Sequence, residues 1–187
     1  MISFEKIGEI LDEIRRLMDF VIIGDTVVDL TLNRKVTESD VDIFPINFSV
    51  LIEGDLLKSF AEERNWEVGS TPIDTPRLIV PVDDEQLQLD FYENIQDFFV
   101  PPVVVESAEE MKVGGKTFKV IKIEDYILLK ANAFREEDET EIKKIIQLIG
   151  EKKIKIDLKI LSEHAKDFEE NAQSIRERLA SIGLKLS

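Results

Sequence analysis

The sequence predicts an α+β fold: a mixed sheet flanked by helices, with a helical part at the C-terminal end. Three observations carry this. Short β-branched apolar runs alternate with helical apolar spacing through residue 64. Two polar turns, Asp83-Asp84-Glu85 and Gly114-Gly115, each lie between arms of strand character. Beyond residue 122 only helical spacing remains.

In chain order, Ile7, Ile10, Leu11, Ile14, Leu17 and Met18 recur at helical intervals, which predicts an amphipathic helix over residues 4–18. Phe20 to Ile23 is a short buried strand ending at Gly24, and residues 26–33 form a second helix with Asp25 or Thr26 at its start. Val41 to Phe44 is the next strand, stopped by Pro45. Leu51 to Arg64 returns to helical spacing. Arg77 to Val82 and Gln86 to Tyr92 are the arms of a hairpin around residues 83–85. In the second arm Leu87, Leu89 and Phe91 share one face while Gln88, Asp90 and Tyr92 share the other. Residues 98–105, with two prolines, read as an extended connector. Met111 to Ile121 is a second hairpin, Ile123 to Phe134 and Glu139 to Ile149 are helices, and Leu158 to Leu179 is one long helix or two. This order suggests a core over residues 1–105 and, over 106–187, a small β unit with the C-terminal helices packed on it, or one continuous domain.

Composition narrows the function. The 187 residues are 43% hydrophobic with 8 Gly and 6 Pro, an ordinary globular make-up able to bury a sizeable core. No apolar run approaches the ~20 residues of a membrane span. The acidic N-terminal stretch lacks the pattern of a secretory signal, so a cytoplasmic protein is expected. The absence of cysteine removes disulfides, thiol catalysis and thiolate metal sites, and a single histidine, His164, argues against a zinc cluster. The formal charge of −15 resides in residues 1–150, with 16 Lys+Arg against 32 Asp+Glu; residues 151–187 hold 8 against 7. Such a field repels polyanions and disfavours broad duplex nucleic-acid or membrane-surface binding. The 34% charged residues read most simply as a solvated surface. Together with the missing cysteine they also match what hot-growing organisms favour, making thermophile origin a weak expectation.

The chemistry lies in Gly24-Asp25-Thr26 and, after 13 residues, Asp40-Val41-Asp42. Two aspartates one residue apart on an apolar strand project from the same face. A carboxylate pair there faces water or holds a cation, because uncompensated burial of charge is costly. If the strand carrying Asp90 pairs beside them, three carboxylates converge. Their mutual repulsion raises their pKa values unless a cation is present. Oxygen-only ligands suit Mg2+ or Mn2+, and a glycine turn feeding a helix offers backbone N–H groups to an anion. A divalent cation beside an anion is the setting of phosphate chemistry.

Residues 21–44 (VIIGDTVVDLTLNRKVTESDVDIF) resemble the signature of the nucleotidyltransferase superfamily, the fold shared with DNA polymerase β. That signature is a strand, a Gly-Ser or Gly-Gly turn opening a helix, Asp-x-Asp on the next strand and a third carboxylate later. The segment IKIEDYILLKANAFREEDETEI is similar to that of minimal and toxin-type members, which carry a lysine in a helix followed by Arg-x-x-Asp, here Lys130, Arg135 and Asp138. The resemblance spans residues 20–149. It implies transfer of a nucleoside monophosphate from a nucleoside triphosphate to a hydroxyl of a protein, a small molecule or a tRNA. It also implies metal binding and catalysis by Asp40, Asp42 and Asp90, and phosphate contacts by Gly24, Asp25, Thr26, Lys130 and Arg135.

One position departs from the pattern. Asp25 stands where the family has Ser or Gly, and a carboxylate beside a triphosphate is repulsive. Asp25 can cap the helix, leaving the hydroxyl to Thr26, or bind metal itself. The alternative is a catalytically inactive member of the fold that acts as a binding or regulatory protein. Asp138, three residues before Glu141, equally fits a capping-box variant at the start of the last core helix. A partner protein or a homodimer through the C-terminal helices stays open.

Overall fold

The apolar runs read as strands pair into a single seven-stranded sheet. The structure is a computed structural model that describes all 187 residues. Its elements are β1 (Ile2–Ser3), α1 (Phe4–Ile14), β2 (Phe20–Ile23), α2 (Thr26–Thr31), β3 (Val36–Thr37), β4 (Val41–Pro45), α3 (Gly54–Glu62) and β5 (Glu67–Ser70). After these come β6 (Pro76–Val82), β7 (Glu85–Phe91), α4 (Pro102–Glu106), β8 (Glu109–Val113), β9 (Lys116–Val120), α5 (Ile123–Ala133), α6 (Glu136–Gly150), α7 (Leu158–His164), a 3-10 stretch (Ala165–Asn171) and α8 (Ala172–Ser181).

The chain divides into two compact units, Met1–Phe99 with Ala108–Val120, and Val100–Ser107 with Ile121–Ser187. The β8–β9 hairpin belongs to the first unit, because β9 pairs with β2.

In the first unit the sheet order is β5-β6-β7-β4-β2-β9-β8. β4 pairs with β7 and β2 with β9 in parallel, and the other neighbours run antiparallel, so the sheet is mixed as expected. The central strands β2 and β4 bury Val21, Ile22, Ile23, Val41 and Ile43, and β7 adds Leu87, Leu89 and Phe91. Each such side chain contributes about 1.5–3 kcal/mol on leaving water. α1 starts where Ser3 accepts a hydrogen bond from the Lys6 backbone N–H (3.3 Å), and it buries Ile7, Leu11 and Ile14 on one face. Two-residue strands β1 and β3 form a separate small ladder.

In the second unit α5 is the central helix: seven of its eleven residues, from Ile123 to Ala131, are buried. α6, α7 and α8 all pack on it. One expectation is corrected here. Residues 102–106 are a short helix, not an extended connector, because Pro102 occupies the first turn, where its missing N–H is harmless. Of the two readings of Leu158–Leu179, one helix or two, the structure has two, α7 and α8, separated by the 3-10 stretch, in which Glu169 leaves helical geometry at φ 52° and ψ −120°.

Candidate active site

The parallel pairing of β4 with β7 sets Asp42 directly opposite Asp90, and the antiparallel pairing of β2 with β4 sets Asp42 opposite Ile23, the residue before Gly24. In-register residues on adjacent strands share a face, so the Asp42 and Asp90 side chains are neighbours. Gly24 has φ +76°, a backbone region that favours glycine. A Cβ there would run into the Asp42 carboxylate, 2.6 Å from Cγ. The glycine turn and the carboxylate therefore fit against each other.

Asp40 lies one residue before β4, at the end of the loop from α2. A buried carboxylate that the sequence reading passed over anchors this loop. Asp29 of α2 accepts from the Arg34 guanidinium (2.6 Å) and the Thr37 hydroxyl (2.5 Å), and Thr37 Oγ1 accepts from the Ser39 N–H (2.9 Å). Loss of hydration and then the negative charge of Asp90 push the Asp40 carboxyl above the ordinary carboxylate range. Asp25 adds to the rise and Arg77 opposes it. Asp25, Asp40 and Asp90 thus share one field.

Arg77, legible in the sequence only as the start of a strand, also belongs to the site. It lies opposite Asp90 across the β6–β7 hairpin. Its Nε donates to Asp90 Oδ1 and its second terminal nitrogen to Oδ2, both at 2.6 Å, a bidentate pair that leaves Asp90 only 3% exposed. Those hydrogen bonds push the guanidinium's pKa up. Tyr92, two residues along β7, donates from its hydroxyl to Asp90 Oδ2 at 3.4 Å. Burial, then the charges of Asp42 and Asp90, push that hydroxyl's pKa up, so it stays protonated and a donor.

The glycine turn is less as expected. Asp25 occupies the N-cap position of α2, but its side chain makes no capping hydrogen bond. Thr26 is fully buried beside Phe4, Ile7, Leu11 and Leu30, and its Oγ1 has no hydrogen-bond partner.

Lys130, Arg135 and Asp138 belong to the second unit. Arg135 donates to Asp138 through Nε (2.8 Å), a terminal nitrogen (3.1 Å) and its backbone N–H (2.9 Å). Lys130 pairs with Glu141 at 2.6 Å and Asp138 at 3.4 Å. Asp138 is the third residue of α6 and accepts the backbone N–H of the N-cap residue Arg135, one half of a capping box; the helix starts one turn before the expected cap at Asp138. These three residues brace the start of a helix.

Asp40 and Asp42 carry oxygen donors of the kind a Mg2+-type ion would take. A three-carboxylate cluster does not fit. No three Asp, Glu or His side chains are gathered closely enough to hold an ion, and Asp90 has given both oxygens to Arg77.

Comparison with known proteins bears on this arrangement. No curated protein matches the chain. Among solved structures, an antigenic nucleotidyltransferase-like protein from Paracoccidioides brasiliensis has a similar fold: TM-score 0.58, 16% identity, covering 100% of this chain and 96% of that one. The antibiotic-resistance factor ANT(2'')-Ia is less similar. Its solution structure gives a TM-score of 0.45 at 15% identity over 95% of this chain and 82% of that one. Its complex with adenylyl-2''-tobramycin gives 0.46 at 15% over 96% and 89%. The model of a family described as "Nucleotidyl transferase of unknown function (DUF2204)" matches residues 3–181, nearly the whole chain. This chain belongs to that family of nucleotidyl transferases.

Proposed function

We propose that the chain moves a nucleoside monophosphate from a nucleoside triphosphate to a hydroxyl of an acceptor, with Asp40 and Asp42 holding a divalent cation. The observation that supports this best is the register that sets Asp42 beside Asp90 with Gly24 packed against the Asp42 carboxylate. When bound, a magnesium-type ion there neutralises triphosphate charge and polarises the reacting phosphoryl group. In the reaction the acceptor hydroxyl oxygen attacks the α-phosphorus and its proton passes to water, the bond from that phosphorus to the bridging oxygen breaks, and pyrophosphate leaves.

The chain's own residues do the positioning. The bare Gly24 turn lets backbone approach the phosphates, a role that needs no side chain. The buried Thr26 hydroxyl is not part of it, and Asp25 adds to the acidic rim. Asp90, held by Arg77 and Tyr92, fixes the charge and shape of the strand position beside Asp42. Lys130 and Arg135 are committed to Asp138 and Glu141, so the proposed machinery is confined to the first unit. Calorimetric titration with ATP, CTP, GTP and UTP in the presence of Mg2+ tests the proposal. At least one should bind, with affinity lowered at least about tenfold in Asp42→Ala. If no nucleotide binds to either protein, the proposal is wrong.

A further inference from the structure

We propose that the first unit carries a separate anion site: a cavity of about 530 Å³ between the start of α1, residues 33–36 and the β8–β9 turn takes a small phosphate-bearing ligand. None of its lining residues belongs to the proposed transfer machinery.

The lining runs against the charge of the chain. The formal charge is −15, yet Arg34, Lys35 and Lys112 all line this cavity, and Glu5 is the one carboxylate among them. Backbone contacts hold the walls together. The Phe4 N–H donates to the Lys35 carbonyl at 3.0 Å, and Ser3 pairs with Val36 in the β1–β3 ladder, which ties the start of α1 to residues 33–36. On the other side Gly114, at φ +62°, lets the β8–β9 turn close onto α1: a Cβ there would lie 2.6 Å from the Glu5 Cα. Lys112, two residues earlier on β8, therefore rises from a fixed backbone position.

Arg34 is already oriented. One of its terminal nitrogens donates to Asp29 at 2.6 Å, and that carboxylate, only 9% exposed, also accepts from Thr37. The rest of the guanidinium fork, on a side chain 57% exposed, stays available to ligand oxygens. Lys35 and Lys112 are exposed and belong to no ion pair, so neither has to leave a carboxylate to meet an anion. Two uncommitted ammonium groups beside a guanidinium suit a group with several oxygens and more than one negative charge, as phosphate has, over a single carboxylate. The volume lies within the roughly 300–1,000 Å³ of small-molecule sites.

Backbone amide chemical shifts of the whole chain, titrated with inorganic phosphate and with phenyl phosphate, test this. Chelator and constant ionic strength keep metal-bound ligand and screening from producing the shifts. Saturable shifts are expected at residues 3–5, 33–36 and 112–115. Arg34 also anchors Asp29, so the variant is the double substitution Lys35→Gln and Lys112→Gln, which changes two exposed side chains and leaves the fold in place. Its dissociation constant should be at least about tenfold above that of the wild type. Tighter binding of phenyl phosphate assigns the site to a phosphorylated organic molecule, and equal or weaker binding assigns it to free phosphate; both support the proposal. No saturable shift with either probe, shifts centred elsewhere, or an unchanged dissociation constant in the double variant would overturn it. Each of these outcomes leaves nucleotidyl transfer untouched.

Discussion

Gly24 and Asp42 compete for the same space, and only a residue without a side chain lets the carboxylate have it. Two penalties coincide at this position. At φ +76° an L-residue loses about 1–2 kcal/mol relative to glycine. The added carbon would also lie 2.6 Å from Asp42 Cγ, so the carboxylate must move. Gly24→Ala is therefore expected to lower unfolding free energy by about 1–2 kcal/mol in urea titrations. It should also weaken nucleotide binding beyond what lost stability alone gives. Retained nucleotide affinity would mean that Asp42 has no role in binding it.

Asp138 shows how an element depends on one carboxylate. Burial alone pushes that carboxyl up, but the side-chain and backbone hydrogen bonds from Arg135 and the charge of Lys130 outweigh it and hold it below the ordinary range. A carboxyl held low in the folded state stabilises the fold at pH values above its unfolded pKa. That contribution is lost as pH falls through the folded value. Asp138→Ala should therefore cost about 1–3 kcal/mol near neutral pH, and the difference from wild type should shrink on acidification below about pH 4. Denaturant titrations from neutral to acid pH read it directly. A difference that grows towards acid pH would mean that the box is not held by the ionised carboxylate.

Elements also decide what the sequence could disclose. β2, β4 and α1 were legible because a single face or a whole strand is apolar, and burial follows that pattern. β5 was not, since its four residues are mostly exposed and carry no alternation; neither were β1 and β3, which are two residues each. The break between α7 and α8 was hidden because Leu161, Ala165, Phe168, Ile175 and Leu179 keep helical spacing straight through it, without glycine or proline at the kink. Arg77 was hidden by one residue of register. Reading Asp83-Asp84-Glu85 as a three-residue turn pairs Val82 with Gln86 and sets Arg77 opposite Phe91. The structure closes the hairpin with two residues, pairing Val82 with Glu85 and Arg77 with Asp90. The acids of the candidate site could be read from residue type; their counter-charge required the turn length.

At the scale of the whole molecule the formal charge of −15 is a destabilising term that salt can reduce. Excess carboxylates repel across the surface, and the Debye length falls from about 30 Å at 0.01 M salt to about 8 Å at 0.15 M. Salt also weakens attractive pairs. The exposed ones, such as Lys58–Glu62 and Lys143–Glu139, each contribute only about 0–1 kcal/mol, while Arg77–Asp90 and Lys130–Asp138 are largely shielded from solvent ions. Screening should therefore relieve more repulsion than attraction. Raising KCl over that range is expected to raise the thermal midpoint by about 2–4 °C, the shift produced by roughly 1 kcal/mol in a chain of this size. Circular dichroism melts at neutral pH measure it. At pH values near the isoelectric point of about 4.6 the same addition of salt should have little or no stabilising effect, because the excess charge is gone. A midpoint that falls with salt at neutral pH would mean that surface ion pairs, and not carboxylate repulsion, dominate the charge balance of this fold.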